Sequence, residues 1–300
     1  MNVIITGYSG FVGQNLSKSL EKSQIEVEAL TLRIDNWKSK INQKCEAIIH
    51  LAGKAHDTSN TSDSSDYFKV NTDLTIELFD AYLKSEIKDF FYFSSVKAVA
   101  DTVDVILTEE FMANPLTPYG KSKMKAEQYM LAQILPEGKR LFIIRPSMIH
   151  GPGNKGNLNL LYKIVQKGIP WPLASFENQR SFISIENVSY LIECVLRNKE
   201  VSSGIYNFAD DDSISTNELI SLMNQAIGKK PRFLQISKKA IRKLAKLGDF
   251  LHFPLNSEKL KKLTESYVVS NAKIKTALKI KKLPLTASEG VLKTINSFKK

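Results

Sequence analysis

Tyr119 and Lys123 stand four positions apart in Pro118-Tyr119-Gly120-Lys121-Ser122-Lys123, and Pro118 suits the first turn of a helix. That spacing stacks the two side chains on one helical face. An ammonium beside a phenol lowers the cost of forming phenolate, moving a group of free pKa about 10 toward neutrality, where it can exchange a proton with a substrate hydroxyl or carbonyl. In a lysine-rich chain the same spacing also occurs on solvated helix faces, so the surroundings decide. Upstream, Phe91-Tyr92-Phe93-Ser94-Ser95 ends an apolar run with two hydroxyls. Ligands of open α/β sheets bind at such carboxyl edges, where Ser95 could hold a substrate oxygen beside Tyr119; the same serines also suit a strand-end turn.

The deciding context is Thr6-Gly7-Tyr8-Ser9-Gly10-Phe11-Val12-Gly13, directly behind Val3-Ile4-Ile5 and ahead of an amphipathic stretch from Phe11 to Leu20. It reads as a dinucleotide-binding turn. Gly7 permits the tight strand-to-helix turn, Gly10 lets backbone amides approach a pyrophosphate, and Gly13 allows close helix packing. The phosphates would meet a helix N-terminus, where unpaired amides and the dipole favour negative charge. The second apolar run ends Leu30-Thr31-Leu32-Arg33, without the acid that would bind the ribose 2′-hydroxyl of NAD. Arg33 instead suits the 2′-phosphate of NADP(H), which makes NADP(H) the preferred cofactor; Asp35 keeps NAD(H) open.

These residues need a scaffold. Apolar runs recur at Val3–Ile5, Val27–Leu32, Ala47–Leu51, Phe90–Phe93 and Leu141–Ile144, separated by helical stretches of which Thr72–Leu83 and Pro118–Leu135 are the clearest. The alternation predicts an α/β fold, a doubly wound parallel sheet. From Gly151 to Arg180, glycine, proline and asparagine break the pattern and open a second lobe. Val188–Arg197 then returns to cover the first sheet, and Tyr206-Asn207-Phe208 with Thr216–Ala226 resumes the second. The expected organisation is a Rossmann domain over 1–150 with 181–204 returning to it, and a smaller α/β substrate-binding lobe from 151–180 and 205–300.

Composition narrows the function classes. The 43% hydrophobic content suffices for a sizeable core in 300 residues. The N-terminus begins a strand at once, so a secretory signal is not expected, and no run is long enough for a spanning helix. Cys45 and Cys194 sit in ordinary core positions, which argues for a reducing cytoplasm. His50, His56, His150 and His252 have no metal-ligand spacing, and no metal is expected. The net charge of +11 is concentrated between Lys229 and Lys300. Within it, Ser237–Leu251 places Ile241, Leu244, Leu247 and Leu251 on one face beside Lys238, Lys239, Arg242, Lys243 and Lys246. Such a helix packs its stripe on its own domain or lies on an anionic membrane surface. Nucleic acid is not an expected partner, because the basic region lacks interleaved aromatics that stack bases.

The ordered motifs resemble the extended short-chain dehydrogenase/reductase family, in its bacterial nucleotide-sugar epimerase and reductase branch, over nearly the whole chain. The marks are the glycine turn, His50-Leu51-Ala52-Gly53, Asn71 in Tyr67-Phe68-Lys69-Val70-Asn71, Ser94-Ser95, Tyr119-x-x-x-Lys123, Arg145-Pro146 with Gly151-Pro152-Gly153, and Arg180-Ser181-Phe182-Ile183. The resemblance implies that Tyr119 is the acid/base, that Lys123 binds the nicotinamide ribose and tunes Tyr119, and that a serine polarises the reacting oxygen. The usual serine aligns with Val96, so the role passes to Ser95 with Ser94 in reserve. Cofactor contacts are implied for Gly7, Ser9, Gly10, Phe11, Val12, Gly13, Arg33, Leu51, Ala52, Gly53, Asn71, Ser94, Tyr119, Lys123 and Pro146. Substrate contacts are implied for Ser95, Val96, Lys97, Tyr119, Asn157 and Arg180, with Arg180 gripping the diphosphate. Ser94-Ser95-Val96-Lys97 and Lys155-Gly156-Asn157 are similar to enzymes that reduce a UDP-4-keto-6-deoxy-N-acetylhexosamine. A UDP-hexose 4-epimerase and a non-catalytic dinucleotide sensor are the alternatives, and a homodimer is implied.

Overall fold

The computed structural model describes residues 1–54, 63–154, 156–251 and 256–299, the side chains of Asn157 and Leu251 excepted. His56, Lys155 and His252 lie outside the described residues. β1 (Asn2–Thr6) leads through the glycine turn into α1 (Phe11–Lys22) and then β2 (Glu26–Leu30). The chain crosses back to β3 (Ala47–His50), and after Asp63 runs through α2 (Ser64–Phe68), a π-helical turn (Lys69–Asp73) and α3 (Leu74–Leu83). Thr72, the expected start of that helix, falls in the π turn. β4 (Asp89–Phe93), α4 (Pro118–Leu131) and β5 (Arg140–Pro146) follow.

Alternation along the strands explains the layers, since successive side chains point to opposite faces of a sheet. Val3, Ile5, Ile49, Phe91, Phe142 and Ile144 share one buried cluster with Leu16 and Leu20 of α1. Their neighbours Ile4, Ile48, Phe90, Tyr92, Leu141 and Ile143 bury against Leu78, Phe79 and Tyr82 of α3 and Ala126 and Met130 of α4. Both faces are covered, which is why β3 and β4 are almost continuously apolar.

Past β5, β6 (Met148–His150) pairs in parallel with β7 (Phe182–Ser184) in a separate two-stranded sheet, with α5 (Asn157–Gln166) between them in sequence. α6 (Ile185–Arg197) then returns over the first sheet, packing on α1. β8 (Gly204–Phe208) corrects the expected boundary at 205. Tyr206-Asn207-Phe208 belongs to the main sheet, parallel to β5, because Tyr206 and Phe208 bury in the first core while the backbone completes the edge of β5. The main sheet has six parallel strands in the order β2-β1-β3-β4-β5-β8. Strand order reverses between β1 and β3, so the carboxyl ends of these strands flank the crevice in which such sheets bind ligands.

The rest of the chain forms α7 (Thr216–Ala226), α8 (Lys238–Leu251), α9 (Ser257–Thr264), α10 (Ala272–Leu278) and α11 (Ala287–Ser297). A second core joins α5, α7 and α11 through Leu158, Tyr162, Ile220, Met223, Val291 and Ile295. α10 belongs elsewhere: Ile274 and Leu278 bury in the first core, so the two lobes interleave more than the sequence division at 205–300 implies. The stripe expected on α8 is also divided. Ile241 buries with Ala245, whereas Leu244 and Leu247 are exposed, because only the face carrying Ile241 and Ala245 reaches the lobe. Among the described residues, no helix is long and apolar enough to cross a membrane.

Candidate active site

The site begins at the switch point. Gly7 has φ 70° and lies so close to the end of β3 that an added Cβ would stand 2.6 Å from the Ala52 nitrogen; a Cβ on Gly13 would strike the Gly7 carbonyl oxygen at 2.4 Å. The turn therefore presses on both Leu51-Ala52 and the first turn of α1, which no other residue pair could do. Thr6 Oγ accepts from the Ala52 amide at 3.2 Å and pairs with His50 Nδ1 at 2.7 Å, while His50 Nε2 pairs with the Thr75 hydroxyl at 2.9 Å. Burial first, and the charge of Lys123 second, pull His50 down to about 3, so it is a neutral brace for β3. α1 opens at Gly10 with no side-chain cap and no acid in its first turn, and Ser9 before it is exposed. The amides of Phe11, Val12 and Gly13 lack intrahelical acceptors by position, so this cradle fits a dinucleotide pyrophosphate. Arg33 stands exposed just past β2, in no ion pair among the described residues, and Asp35 is exposed nearby.

At the carboxyl edge of β4 the chain turns through Ser94 and Ser95 into a short 3₁₀ turn, Val96–Ala98, which Ser95 caps by accepting from the Lys97 amide at 3.1 Å. α4 meets that turn directly. Thr117 caps α4 through the Gly120 amide at 3.2 Å, and a Cβ at Gly120 would stand 2.3 Å from the Lys97 carbonyl oxygen. Close approach at Gly120 brings the Tyr119 phenol within reach of the Ser95 hydroxyl. Burial holds the Tyr119 phenol above its ordinary value while the nearby Ser95 hydroxyl pulls it down; the Tyr67 ring packs edge-on at 6.1 Å.

Lys123, buried one turn on, donates to the Phe93 carbonyl at 2.9 Å and lies 4.9 Å over the Tyr92 ring. Burial lowers its ammonium to about 8, and Glu127 opposes that shift. A Cβ at Gly53 would stand 3.0 Å from Asn71 Oδ1 and 3.3 Å from Lys123 Nζ, so the loop after β3 runs close past Lys123. Asn71, in the π turn, accepts from the Lys54 amide at 2.7 Å and donates to the Lys54 carbonyl and to Ser122 Oγ, each at 3.1 Å. Single π turns of this kind are frequent at functional sites.

Ser94 turns the other way. Its hydroxyl donates to Glu127, a buried carboxylate that Arg145 also holds, with Nη2 at 2.5 Å. The sequence reading held Ser94 in reserve for Tyr119; the hydroxyl beside Tyr119 is that of Ser95. Pro146 ends β5 in register with Phe208.

On the second-lobe side, Lys97 donates to the Asp101 carbonyl at 2.6 Å and sits 4.3 Å over the Tyr267 ring, with burial lowering its ammonium. The buried Tyr267 hydroxyl donates to the carbonyls of Val96 and Ala100 at 3.1 and 2.7 Å. Arg180 bridges Ile214 and Tyr267 through its backbone and donates a guanidinium bond to the Lys262 carbonyl. Its charge acts on Lys97, which puts both cations beside Tyr267. Asn157 begins α5. Glu127 and Tyr267 escaped the sequence reading. Glu127 continues the Tyr119-Lys123 face by one more turn, a signal available in the spacing; Tyr267 carries no local signal.

Three comparisons bear on this geometry. The pattern described as NAD dependent epimerase/dehydratase family matches residues 3–209. A UDP-glucose 4-epimerase of Vibrio cholerae is 29% identical over 99% of this chain and 95% of its own length. A GDP-6-deoxy-D-mannose reductase of Pseudomonas aeruginosa is 25% identical over 74% of this chain and 78% of its own. The solved structure of RMD from Pseudomonas aeruginosa complexed with NADPH superposes with TM-score 0.77 at 19% identity, over 100% of both chains.

Proposed function

Because this chain belongs to the NAD dependent epimerase/dehydratase family, we propose that it is a cytoplasmic, NADPH-using enzyme that reduces C4 of a UDP-4-keto-6-deoxy-N-acetylhexosamine for surface polysaccharide synthesis. The observation that carries the chemistry is the placement of the Tyr119 phenol beside the Ser95 hydroxyl at the sheet's carboxyl edge, with Lys123 buried one turn away. In this reading the Gly7–Gly13 turn holds the pyrophosphate, Arg33 the 2′-phosphate, and Lys123 and Asn71 the end nearest Tyr119. A bound reduced nicotinamide supplies hydride to the sugar carbonyl carbon. Ser95 holds the carbonyl oxygen, Tyr119 gives its proton to that oxygen as charge develops there, and the Lys123 ammonium stabilises the phenolate left behind. A phenol held above its ordinary value stays protonated until needed, which suits an acid. Arg180 and Lys97, gathered beside Tyr267, suit a substrate diphosphate. A homodimer is part of the same proposal.

One observation favours a second reading, C4 epimerisation of a UDP-hexose: the Vibrio cholerae relative matches along almost the full length of both chains. The two separate on cofactor turnover. Purified protein given UDP-4-keto-6-deoxy-N-acetylglucosamine should consume NADPH stoichiometrically with the sugar. UDP-sugar interconversion without added reductant, and no NADPH loss with the keto-sugar, would replace reduction with epimerisation.

A further inference from the structure

We propose that the exposed ridge of α8 docks this enzyme on an anionic lipid bilayer. Among the described side chains of this helix, only Ile241, Ala245 and Gly248 are buried. Leu244, Leu247 and Phe250, spaced three apart and so neighbours along one ridge, are 56%, 55% and 87% exposed. A Phe side chain with almost its whole surface in water, in line with two half-exposed leucines, has no use in the core of its own lobe.

Charge decides the occupant. Lys239, Lys243 and Lys246 are exposed alongside the ridge, whereas Lys238 and Arg242 reach back over the Phe176 ring, each at 6.0 Å. The one acid of the helix, Asp249, is committed to Ser257, accepting from its amide at 2.8 Å and its hydroxyl at 2.5 Å. What remains outward is apolar and cationic without a free carboxylate. That combination matches lipid tails beneath anionic headgroups, in the manner of helices that lie in the interface plane. The ridge also has a path to the chemistry, since α8 packs on α9, whose Lys262 carbonyl receives Arg180. Docking would hold the diphosphate side of the site at the membrane surface.

The test is sedimentation of the full chain with phosphatidylcholine vesicles with and without 30% phosphatidylglycerol, at low and high salt. The wild-type protein should pellet with the anionic vesicles, at least tenfold less with phosphatidylcholine alone, and less as salt rises. The triple variant L244S/L247S/F250S should lose at least tenfold of this binding, as should K239Q/K243Q/K246Q. Both variants should keep the wild-type melting temperature and cofactor binding, which separates lost docking from lost fold. Equal pelleting of wild-type and ridge variant, or no binding of wild-type to anionic vesicles, would overturn the proposal. So would a wild-type oligomer that the ridge variant abolishes without any vesicle binding, which would assign the ridge to a second copy of the chain. None of these readouts depends on which sugar is reduced.

Discussion

Ser94 gives its hydroxyl hydrogen to Glu127, the carboxylate one turn beyond Lys123 on α4, and the same carboxylate is gripped by Arg145 from β5. Two adjacent serines thereby divide their work. Ser94 ties the end of β4 to α4, and Ser95, pointing the other way along the strand, meets Tyr119. S95A should lower kcat by about 10²–10³-fold, the loss typical of one donor to a developing oxyanion. S94A should cost about 1.5–3 kcal/mol of stability for the lost hydrogen bond to a charged acceptor, with a smaller effect on kcat. Steady-state kinetics and urea unfolding of both variants check the division; a larger kcat loss in S94A would reverse it.

Tyr119→Phe keeps the ring against Tyr67 and removes only the hydroxyl. Turnover should fall by about 10²–10⁴-fold, the range for loss of a general acid, while fluorescence titration returns the wild-type affinity for NADPH.

Lys123 gives activity an alkaline limit. Its ammonium is lowered to about 8 by burial, so above that pH the folded enzyme loses the charge that the proposed mechanism uses to stabilise a Tyr119 phenolate, and kcat/KM for the free enzyme should fall. Stability moves oppositely. Between about 8 and the ordinary lysine value of 10.5 the unfolded chain binds more protons than the folded one, so unfolding free energy rises with pH across that window. Removing the negative charge in E127Q should shift the alkaline limit to lower pH. It should also cost about 3–5 kcal/mol, because Arg145 is left buried without its partner. An unmoved pH limit would remove Glu127 from the tuning of Lys123.

His50 predicts an acid limit to stability. Its folded value is about 3 against an ordinary 6.5, so between those values the unfolded state alone takes up a proton and stability falls as pH falls. The slope approaches about 1.4 kcal/mol per pH unit below 6. H50Q should flatten it in denaturant titrations from pH 7.5 to 5.

Arg33 should decide the cofactor. A charged hydrogen bond to phosphate is worth about 1.5–3 kcal/mol, so R33A should raise KM for NADPH about ten- to hundredfold and leave that for NADH nearly unchanged. Equal losses for both cofactors would place Arg33 outside the 2′-phosphate site.

The sequence by itself determined the parts fixed by local geometry. The Gly7-Gly10-Gly13 spacing, the one-turn separation of Tyr119 and Lys123 and the apolar runs that became β1, β3 and β4 depend on backbone periods of two or 3.6 residues. Those periods hold before any long-range contact forms. Tertiary structure decided which neighbours those residues meet. Ser94 and Ser95 look alike in the chain, and only α4, brought in by close approach at Gly120, gives one to Glu127 and the other to Tyr119. Tyr206-Asn207-Phe208 is a strand in either lobe by its pattern; the open edge of β5 claimed it. Tyr267 reaches Val96 across more than half the chain, and the stripe of α8 divides because only one of its edges found a surface to bury against. Propensity sets what a segment can become, whereas burial and hydrogen-bond partners at long range choose its place.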